Sequence, residues 1–248
     1  MTAKEPAALL SPDQLVARLR EEGVRRYHDQ HPFHQAMHAG ALTPEALRTW
    51  TANRFYYQTR IPIKDALIVA KSEDPAFRRA WLRRIQDHDG QGEGDGGLEL
   101  WLKLAEAVGL EREAVINHRD VLPGVRFACD SYVMLVRDSP LPVAVASSLT
   151  EMFAGQLIAL RMDAMRQHYP WIVPGLAYFE ARLTQSVEDS RFALDWVTRH
   201  ALTREQQELA IGALRAKCDI LWAQLDAIYY AYVQPGWPPP GAFRPEGS

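Results

Sequence analysis

The sequence predicts an all-α protein, folded as a compact single-domain helical bundle. Apolar residues recur at the three- and four-residue spacing of amphipathic helices along most of the chain. Alternation with a period of two, the pattern of half-buried strands, is almost absent. The breaks between apolar stretches are short. We therefore expect one helical domain over residues 1–248, with its core at 11–233 and an irregular Pro/Gly-rich tail at 234–248.

Capping residues mark four helix starts. Ser11, Thr43 and Asp74 each precede a proline, which is favoured at the first helical position. Thr203 with Gln206 resembles a capping box. Together with the apolar spacing, these signals predict helices at residues 12–28, 43–61, 75–89, 97–108, 123–137, 142–167, 175–200 and 203–233.

Two breaks have a visible cause in the sequence. Pro62 is expected to bend or end the second helix, because proline lacks a backbone N–H. The glycine-rich run at residues 89–97 predicts a polar loop that serves as a hinge or lid, or is simply an exposed turn.

Composition excludes several classes of protein. With 47% hydrophobic residues and a net charge of −3, the chain is too apolar to be disordered and lacks the basic excess of a nucleic-acid binder. Its two cysteines, Cys129 and Cys218, predict buried thiols in a reducing compartment. No signal peptide is evident, and the apolar stretch 143–165 carries Glu151 and Arg161. We expect a cytoplasmic protein without a membrane or nucleic-acid partner.

Helical spacing places cationic side chains within apolar stripes, namely Arg54, Lys64, Arg84 and Lys217. A buried cation costs several kcal/mol unless it is paired. Glu151 is the acid most clearly inside, and one acid cannot neutralise four cations. The pattern therefore predicts an internal polar site, completed by His88, for a ligand with several carboxylates or phosphates. The alternative for any one of these cations is that its long side chain reaches the surface.

A cluster of histidines raises the possibility of a metal site: His28, His31, His34 and His38. Against this reading, Pro32 interrupts the segment, and no carboxylate–x–x–His motif of the di-iron bundles occurs. We therefore expect His31 or His34 to bind backbone at a helix junction, and no metal. No dinucleotide, phosphate-loop, serine-hydrolase or dithiol motif is present.

Several sequence blocks resemble the pyrroloquinoline-quinone synthase family. The resemblance covers residues 11 to 233, and its blocks are long and ordered: HPFHQAMH, WTANRFYYQTRIPIKDA, RRIQDHDG, VLPGVRFACDSY, SSLTEMFA, HYPWI and KCDILWAQLDA. It implies a helical bundle of the haem-oxygenase-like type. It also implies the last step of pyrroloquinoline quinone biosynthesis, in which ring closure and multi-electron oxidation of a polycarboxylated bicyclic precursor consume O2 and release H2O2. The resemblance further implies no metal or organic cofactor, with O2 as co-substrate, and a homodimer.

The resemblance implies nine substrate-binding residues: His28, Arg54, Tyr57, Gln58, Lys64, Arg84, Tyr132, Arg161 and Lys217. The cations among them would clamp carboxylates and quinone oxygens, and the other residues would complete the pocket.

Four further residues match the catalytic positions implied by the resemblance: His88, Glu151, Tyr178 and Arg182. His88 would act as general base or acid. Glu151 would hydrogen-bond the substrate or help to move protons. Tyr178 and Arg182 would help to bind oxygen or peroxide.

One position departs from the family pattern. Ile158 lies two turns after Glu151, where the family commonly has a histidine near the oxygen site. Because isoleucine cannot move a proton, the later oxidation steps are either shaped differently or altered. Two alternatives to the cofactor-less oxidase stay open. One, suggested by the histidine cluster, is a metal-dependent (di-iron) oxygenase on the same bundle. The other, suggested by Ile158, is a non-catalytic quinone-binding homologue.

Overall fold

The structure, a computed structural model, describes residues 8–234, and these form helices without a strand. The prediction of an all-α bundle is confirmed. The α-helices are α1 (Pro12–Arg26), α2 (Pro32–His38), α3 (Pro44–Ala70), α4 (Pro75–Asp89), α5 (Gly96–Ala107), α6 (Arg112–Ile116), α7 (Pro123–Asp138), α8 (Leu141–Ala146), α9 (Ala154–His168), α10 (Ala177–His200) and α11 (Arg204–Tyr232). Three 3₁₀ turns connect them, at His28–Gln30, Leu149–Phe153 and Pro170–Gly175.

The four predicted helix starts are confirmed at the level of hydrogen bonds. The Ser11 and Thr203 side chains each accept a bond from the backbone N–H three residues on, and the glutamine there returns a bond to the cap. Thr43 and Asp74 also accept backbone N–H bonds in the first turns of α3 and α4. These bonds satisfy donors that a helix start leaves without a partner.

The prediction that the second helix ends at residue 61 is wrong, because α3 continues through Pro62 to Ala70. A proline removes one backbone bond, but packing on both sides of it holds the helix. The α3 helix contacts α4, α5, α7 and α11, and Ile61 and Ile68 on either side of Pro62 are buried.

The prediction of one helix over residues 142–167 is also wrong, since α8 and α9 are separated by the 3₁₀ turn Leu149–Phe153. The break follows Ser147 and Ser148, which are both buried. The Ser147 hydroxyl donates to the Ala144 carbonyl at 2.6 Å, a local bond that competes with the helical backbone pattern. The turn carries Glu151 into the interior of the bundle.

The sequence did not predict the two short helices α2 and α6. The first begins where His31 caps the N–H of Phe33, so its start is marked by a histidine instead of a common cap residue. The glycine-rich run between α4 and α5 forms an exposed turn. Gly96 there has a positive φ and approaches Gly90 so closely that a Cβ would lie 2.3 Å from the Gly90 nitrogen.

Two clusters of buried apolar side chains form the core, and Tyr57 of α3 packs against both of them. One contains Trp50 and Trp101, and the other contains Trp81 and Tyr132. The α3 helix therefore supplies side chains to the junction of the two clusters, where the polar site lies. The single-domain division stays a prediction, and the predicted tail beyond Gln234 lies outside the described residues.

One stretch, Leu141–His168, is long and apolar enough to cross a membrane by length and composition, with a mean hydropathy of 1.5 in its most apolar window. Half of that window is buried inside the bundle. It is the stretch that the 3₁₀ turn divides, and its polar residues Glu151 and Arg161 face the interior.

Candidate active site

A cavity lies where α3, α4, α9 and α10 meet, next to the turn that carries Glu151. The volume of the cavity is about 90 Å³. Nine of the thirteen residues in the two predicted sets line it: His28, Arg54, Tyr57, Gln58, His88, Glu151, Arg161, Tyr178 and Arg182. The structure thus brings together residues that are up to 154 positions apart, from His28 to Arg182.

The other four predicted residues, Lys64, Arg84, Tyr132 and Lys217, are buried but do not line the cavity. Lys217 lies behind Tyr57, and its Nζ donates to the Tyr57 hydroxyl at 3.0 Å. Tyr132 stacks on Tyr57, with 6.5 Å between ring centroids. Tyr132 and Lys217 therefore lie behind the cavity and contact Tyr57, which lines it.

Arg84 sits at the centre of a buried ionic cluster. Its two terminal nitrogens donate to both carboxylate oxygens of Glu151, at 2.8 and 2.6 Å. It also contacts Asp65 at 3.4 Å and Asp189 at 3.2 Å. Lys64 pairs with Asp65 at 2.6 Å. Arg84 and Lys64 are therefore neutralised by the protein itself.

The charge count drawn from the sequence was wrong, because it overlooked Asp65 and Asp189. Asp65 is fully buried and follows Tyr57 and Ile61 at helical spacing, so the α3 stripe could have revealed it. Asp189 lies seven residues after Arg182, on the same face of α10. With these acids counted, fewer cations need a ligand than the sequence suggested.

Three of the predicted substrate-binding cations retain no acidic partner. Among residues 8–234, no carboxylate oxygen lies within 4.0 Å of the charged nitrogens of Arg54, Arg161 or Lys217. Arg54 instead lies over the Tyr57 ring, 3.9 Å from its centroid. Arg161 Nη2 donates to His34 Nε2 at 3.1 Å, and its Nε has no partner.

Burial and mutual repulsion both disfavour the charged forms of Arg161 and Lys217. Burial, followed by the charge of Arg54, lowers the pKa of Arg161 to about 10. The same two causes hold the pKa of Lys217 well below its usual value. An anion bound between these groups would offset both effects, so this side of the cavity is built to receive negative charge.

His88 presents one free nitrogen to the cavity. Its Nδ1 donates to the Arg84 carbonyl at 3.0 Å, because a carbonyl can only accept. The proton is therefore on Nδ1, and Nε2 keeps its lone pair. Burial, with the charge of Arg182, lowers the pKa of His88 to about 4, so the imidazole is neutral near pH 7.

Glu151 is ionised. Burial by itself raises the pKa of Glu151, but the charge and hydrogen bonds of Arg84, with the charge of Arg182, outweigh it and lower the pKa to about 2. A carboxylate in this state accepts hydrogen bonds and donates none. His88 is therefore the stronger base of the two, because its pKa of about 4 exceeds the pKa of about 2 of Glu151.

Tyr178 and Arg182 occupy the α10 side of the cavity, one turn apart. The Tyr178 hydroxyl donates to Gln58 Oε1 at 2.9 Å, and its ring meets Trp101 edge-on at 4.7 Å. Burial raises the pKa of Tyr178, so the phenol stays protonated. Ile158 lines the same cavity and adds an apolar surface to it.

The predicted role of His31 and His34 in binding backbone is confirmed. His31 Nδ1 accepts from the Phe33 N–H, and His34 Nδ1 donates to the His28 carbonyl. Within the described part of the chain, no three or more His, Cys, Asp or Glu side chains are grouped so as to hold a metal ion. The histidine cluster thus supplies no ready ligand set for the di-iron alternative.

The profile of the TENA/THI-4/PQQC family matches residues 16–227 of the sequence. The chain belongs to this family. The resemblance described from the sequence blocks is thereby confirmed, and relatives at high identity extend the family match across nearly the whole chain.

Two relatives of this family are named pyrroloquinoline-quinone synthase. The protein from Acidiphilium cryptum is 53% identical over 240 residues, which are 96% of this chain and 98% of the relative. The protein from Xanthomonas campestris pv. campestris is 55% identical over 240 residues, with 96% of each chain covered.

Two solved structures share the fold at low sequence identity. One is the TenA homologue from P. horikoshii, with a TM-score of 0.71 and 13% identity, covering 87% of this chain and 98% of the homologue. The other is a domain with a heme oxygenase-like fold from Shewanella denitrificans, with a TM-score of 0.73 and 12% identity, covering 90% and 93%. The predicted haem-oxygenase-like architecture is confirmed.

Proposed function

We propose that this chain is a pyrroloquinoline-quinone synthase, an oxidase that carries out ring closure and O2-dependent oxidation of a polycarboxylated bicyclic precursor. The observation that carries the proposal is the presence, in one cavity, of two arginines without an acidic partner and a neutral histidine. The full-length similarity to the two synthases supports the same conclusion.

Arg54 and Arg161 bind the substrate carboxylates. Both line the cavity without an acidic partner, so a carboxylate placed between them forms charge-assisted hydrogen bonds with both. Lys217 lies behind Tyr57, outside the cavity lining. It acts on the substrate through the Tyr57 hydroxyl, which its Nζ contacts. The site recognises a small anion with several carboxylates.

His88 removes protons from the substrate. Its Nε2 lone pair faces the cavity, and its neutral form is the one present near pH 7. Glu151 remains ionised and orients the substrate by accepting its N–H or O–H groups. The electron-rich anion that forms on deprotonation is stabilised by the neighbouring arginines.

O2 reacts beside Tyr178 and Arg182. Each two-electron step takes two electrons and two protons from the substrate and converts one O2 into one H2O2. The Arg182 guanidinium donates hydrogen bonds to the reduced oxygen, and the Tyr178 hydroxyl donates to it after exchanging its bond to Gln58 Oε1. The electrons come from the substrate anion itself, so the proposed reaction uses no metal or organic cofactor.

The decisive experiment incubates the purified, metal-depleted protein with the precursor under air. We expect quinone absorbance to appear together with O2 consumption and H2O2 release. Activity that appears only after iron is added would favour the di-iron alternative. Tight quinone binding without turnover, with or without iron, would favour the non-catalytic alternative suggested by Ile158.

We further propose that the chain acts as a homodimer in the cytoplasm, with no membrane or nucleic-acid partner. Its near-neutral net charge of −3 and its buried free thiols Cys129 and Cys218 support this environment. Sedimentation equilibrium of the full chain tests the oligomer, and a mass of one chain at micromolar concentration would contradict it.

A further inference from the structure

Asp189 joins Arg84 to Arg182, and Arg182 lines the part of the cavity beside Tyr178 where O2 is proposed to react, here called the oxygen side. Its Oδ2 lies 3.2 Å from Arg84 Nη1 and 3.5 Å from Arg182 Nη1. Its side chain is 11% exposed, so it lies at the edge between the buried cluster and solvent. It does not line the cavity, and it can act on the reaction only through its neighbours.

The polar contacts that hold Arg84 are shorter than those that hold Arg182. Arg84 makes a two-pronged contact with Glu151 at 2.6 and 2.8 Å. Arg182 has only longer contacts, at 3.4 Å to Gln185, 3.5 Å to Asp189 and 3.7 Å to Glu151. The position of Arg182 therefore depends on several weak contacts, of which Asp189 supplies one of the two charged ones.

Arg182 also lies at a boundary. It lines the cavity and, with Tyr178, a second pocket of about 210 Å³ that reaches Gly96 and Gly97 at the start of α5. If the Arg182 side chain moved, the hydrogen-bond donors that its guanidinium presents to the cavity would move with it. The boundary between the cavity and the second pocket would change as well.

The buried cluster is electrically balanced only if Asp189 is ionised. It contains three cations and three acids: Lys64, Arg84 and Arg182, with Asp65, Glu151 and Asp189. When Asp189 is neutral, Arg182 depends for charge on Glu151, whose oxygens are already engaged by Arg84. Arg182 then loses one of its two charged contacts, and its guanidinium is less firmly placed beside the cavity.

We propose that Asp189 is a positioning residue that fixes the Arg182 guanidinium at the oxygen side of the cavity, and that protonation of Asp189 loosens it. The proposal rests on the proposed synthase function and adds a residue that acts on the O2-dependent steps through Arg182. Substrate binding is spared, because Arg54 and Arg161 make no contact with Asp189.

The groups facing Asp189 account for its titration. They are Asp65 of α3, Arg84 of α4, Glu151 of the 3₁₀ turn and Arg182 of its own helix. Burial and the acids Glu151 and Asp65 raise the pKa of Asp189 to about 6, against the opposing effect of the two arginines. The ionised, positioning form therefore predominates above pH 6 and is lost as the pH falls through that value.

The test compares Asp189→Asn with wild type for kcat/KM toward O2 and for substrate affinity, each over pH 5–8. We expect kcat/KM for O2 to fall about tenfold at pH 7.5, as for loss of one charged hydrogen bond, with substrate affinity within twofold of wild type. The wild-type inflection near pH 6 should disappear. Asp189→Glu should restore part of the loss, and Asp195→Asn, an exposed acid on the same helix, should behave as wild type.

An Asp189→Asn variant with wild-type O2 kinetics, or with equal losses in O2 kinetics and substrate affinity, would overturn the proposal. If the variant does not fold, Asp189→Glu carries the test, since its altered carboxyl must shift the inflection, and an unmoved inflection overturns the proposal. Wild-type turnover in the same assay separates the two ideas. Its absence counts against the synthase function, whereas a normal wild type with an unaffected variant counts against Asp189 alone.

Discussion

Lys217 Nζ lies 3.0 Å from the Tyr57 hydroxyl and only 3.7 Å from the centroid of the Tyr132 ring. A lysine is thus buried between two aromatic rings without an acidic partner among the described residues. Tyr57 lines the cavity on its other side, so the ammonium group acts on a ligand through one phenol. We therefore expect Lys217 to lower the stability of the unliganded protein and to raise its affinity for an anion.

Replacing Lys217 by methionine should therefore stabilise the unliganded protein and weaken quinone binding. Methionine fills a similar volume without a charged or polar group to bury, and we expect a gain of about 1–3 kcal/mol in the free energy of unfolding. Quinone affinity should fall about tenfold or more. Urea unfolding and a quinone titration measure the two effects. Lys103→Met, at an exposed position of α5, is the matched control, and a destabilised K217M protein would contradict the reasoning.

His88→Asn should slow turnover strongly while leaving the quinone bound. Asparagine can keep a hydrogen bond to the Arg84 carbonyl but offers no basic nitrogen, so kcat should fall by about 10²–10⁴-fold. Quinone affinity should change little, because the carboxylate-binding arginines remain. Stopped-flow absorbance and equilibrium titration separate the two quantities. His168→Asn, on the surface of α9, should leave both unchanged, and full activity in H88N would remove His88 from the mechanism.

Ile158→His should alter the O2-dependent steps more than substrate binding. The side chain lines the cavity and is 8% exposed, so a histidine there would add a polar group to the apolar surface. We expect kcat/KM for O2 to change severalfold in either direction while substrate affinity stays within twofold. An oxygen electrode and a binding titration provide the measurements, and equal changes in both quantities would contradict the assignment of Ile158 to the oxygen side.

Acid should destabilise the fold through its buried histidines. The pKa of His88 is about 4 in the folded chain against an ordinary value of 6.5, so the unfolded state binds more protons between these two pH values. The contribution of neutral His88 is complete above pH 6.5 and is lost as the pH falls toward 4, an effect on the order of 3 kcal/mol. Burial lowers the pKa of His28 and His34 in the same direction.

Urea unfolding at several pH values tests this prediction. The free energy of unfolding should decrease steadily from pH 7 to pH 4, and the slope should be smaller in H88N. Asp189 works in the opposite sense, since its raised pKa favours the folded state on acidification between about pH 6 and 4. A slope that H88N leaves unchanged would show that His88 is not the group responsible.

The sequence by itself determined the helical class and four of the helix starts. Its apolar pattern also indicated Arg54, His88 and Glu151 of the cavity, whereas the family resemblance implied the other predicted residues that line it. The helix starts and the apolar pattern are local or periodic features. Ser11 and Thr203 cap by their own chemistry, and Arg54 and His88 fall on apolar stripes whatever the rest of the chain does.

Only the tertiary structure decided which of these charges are paired. Asp65 and Asp189 come from different helices and meet at Arg84, and no spacing within one helix reveals that meeting. The continuation of α3 through Pro62 was also decided by packing, because neighbouring helices hold its backbone. The break between α8 and α9, by contrast, accompanies a local hydrogen bond from the Ser147 hydroxyl to the Ala144 carbonyl. Around the cavity, Lys64, Arg84 and Arg182 are paired with acids of the chain. Arg54, Arg161 and Lys217 have no acidic partner among the described residues, and we expect them to favour binding of the anion.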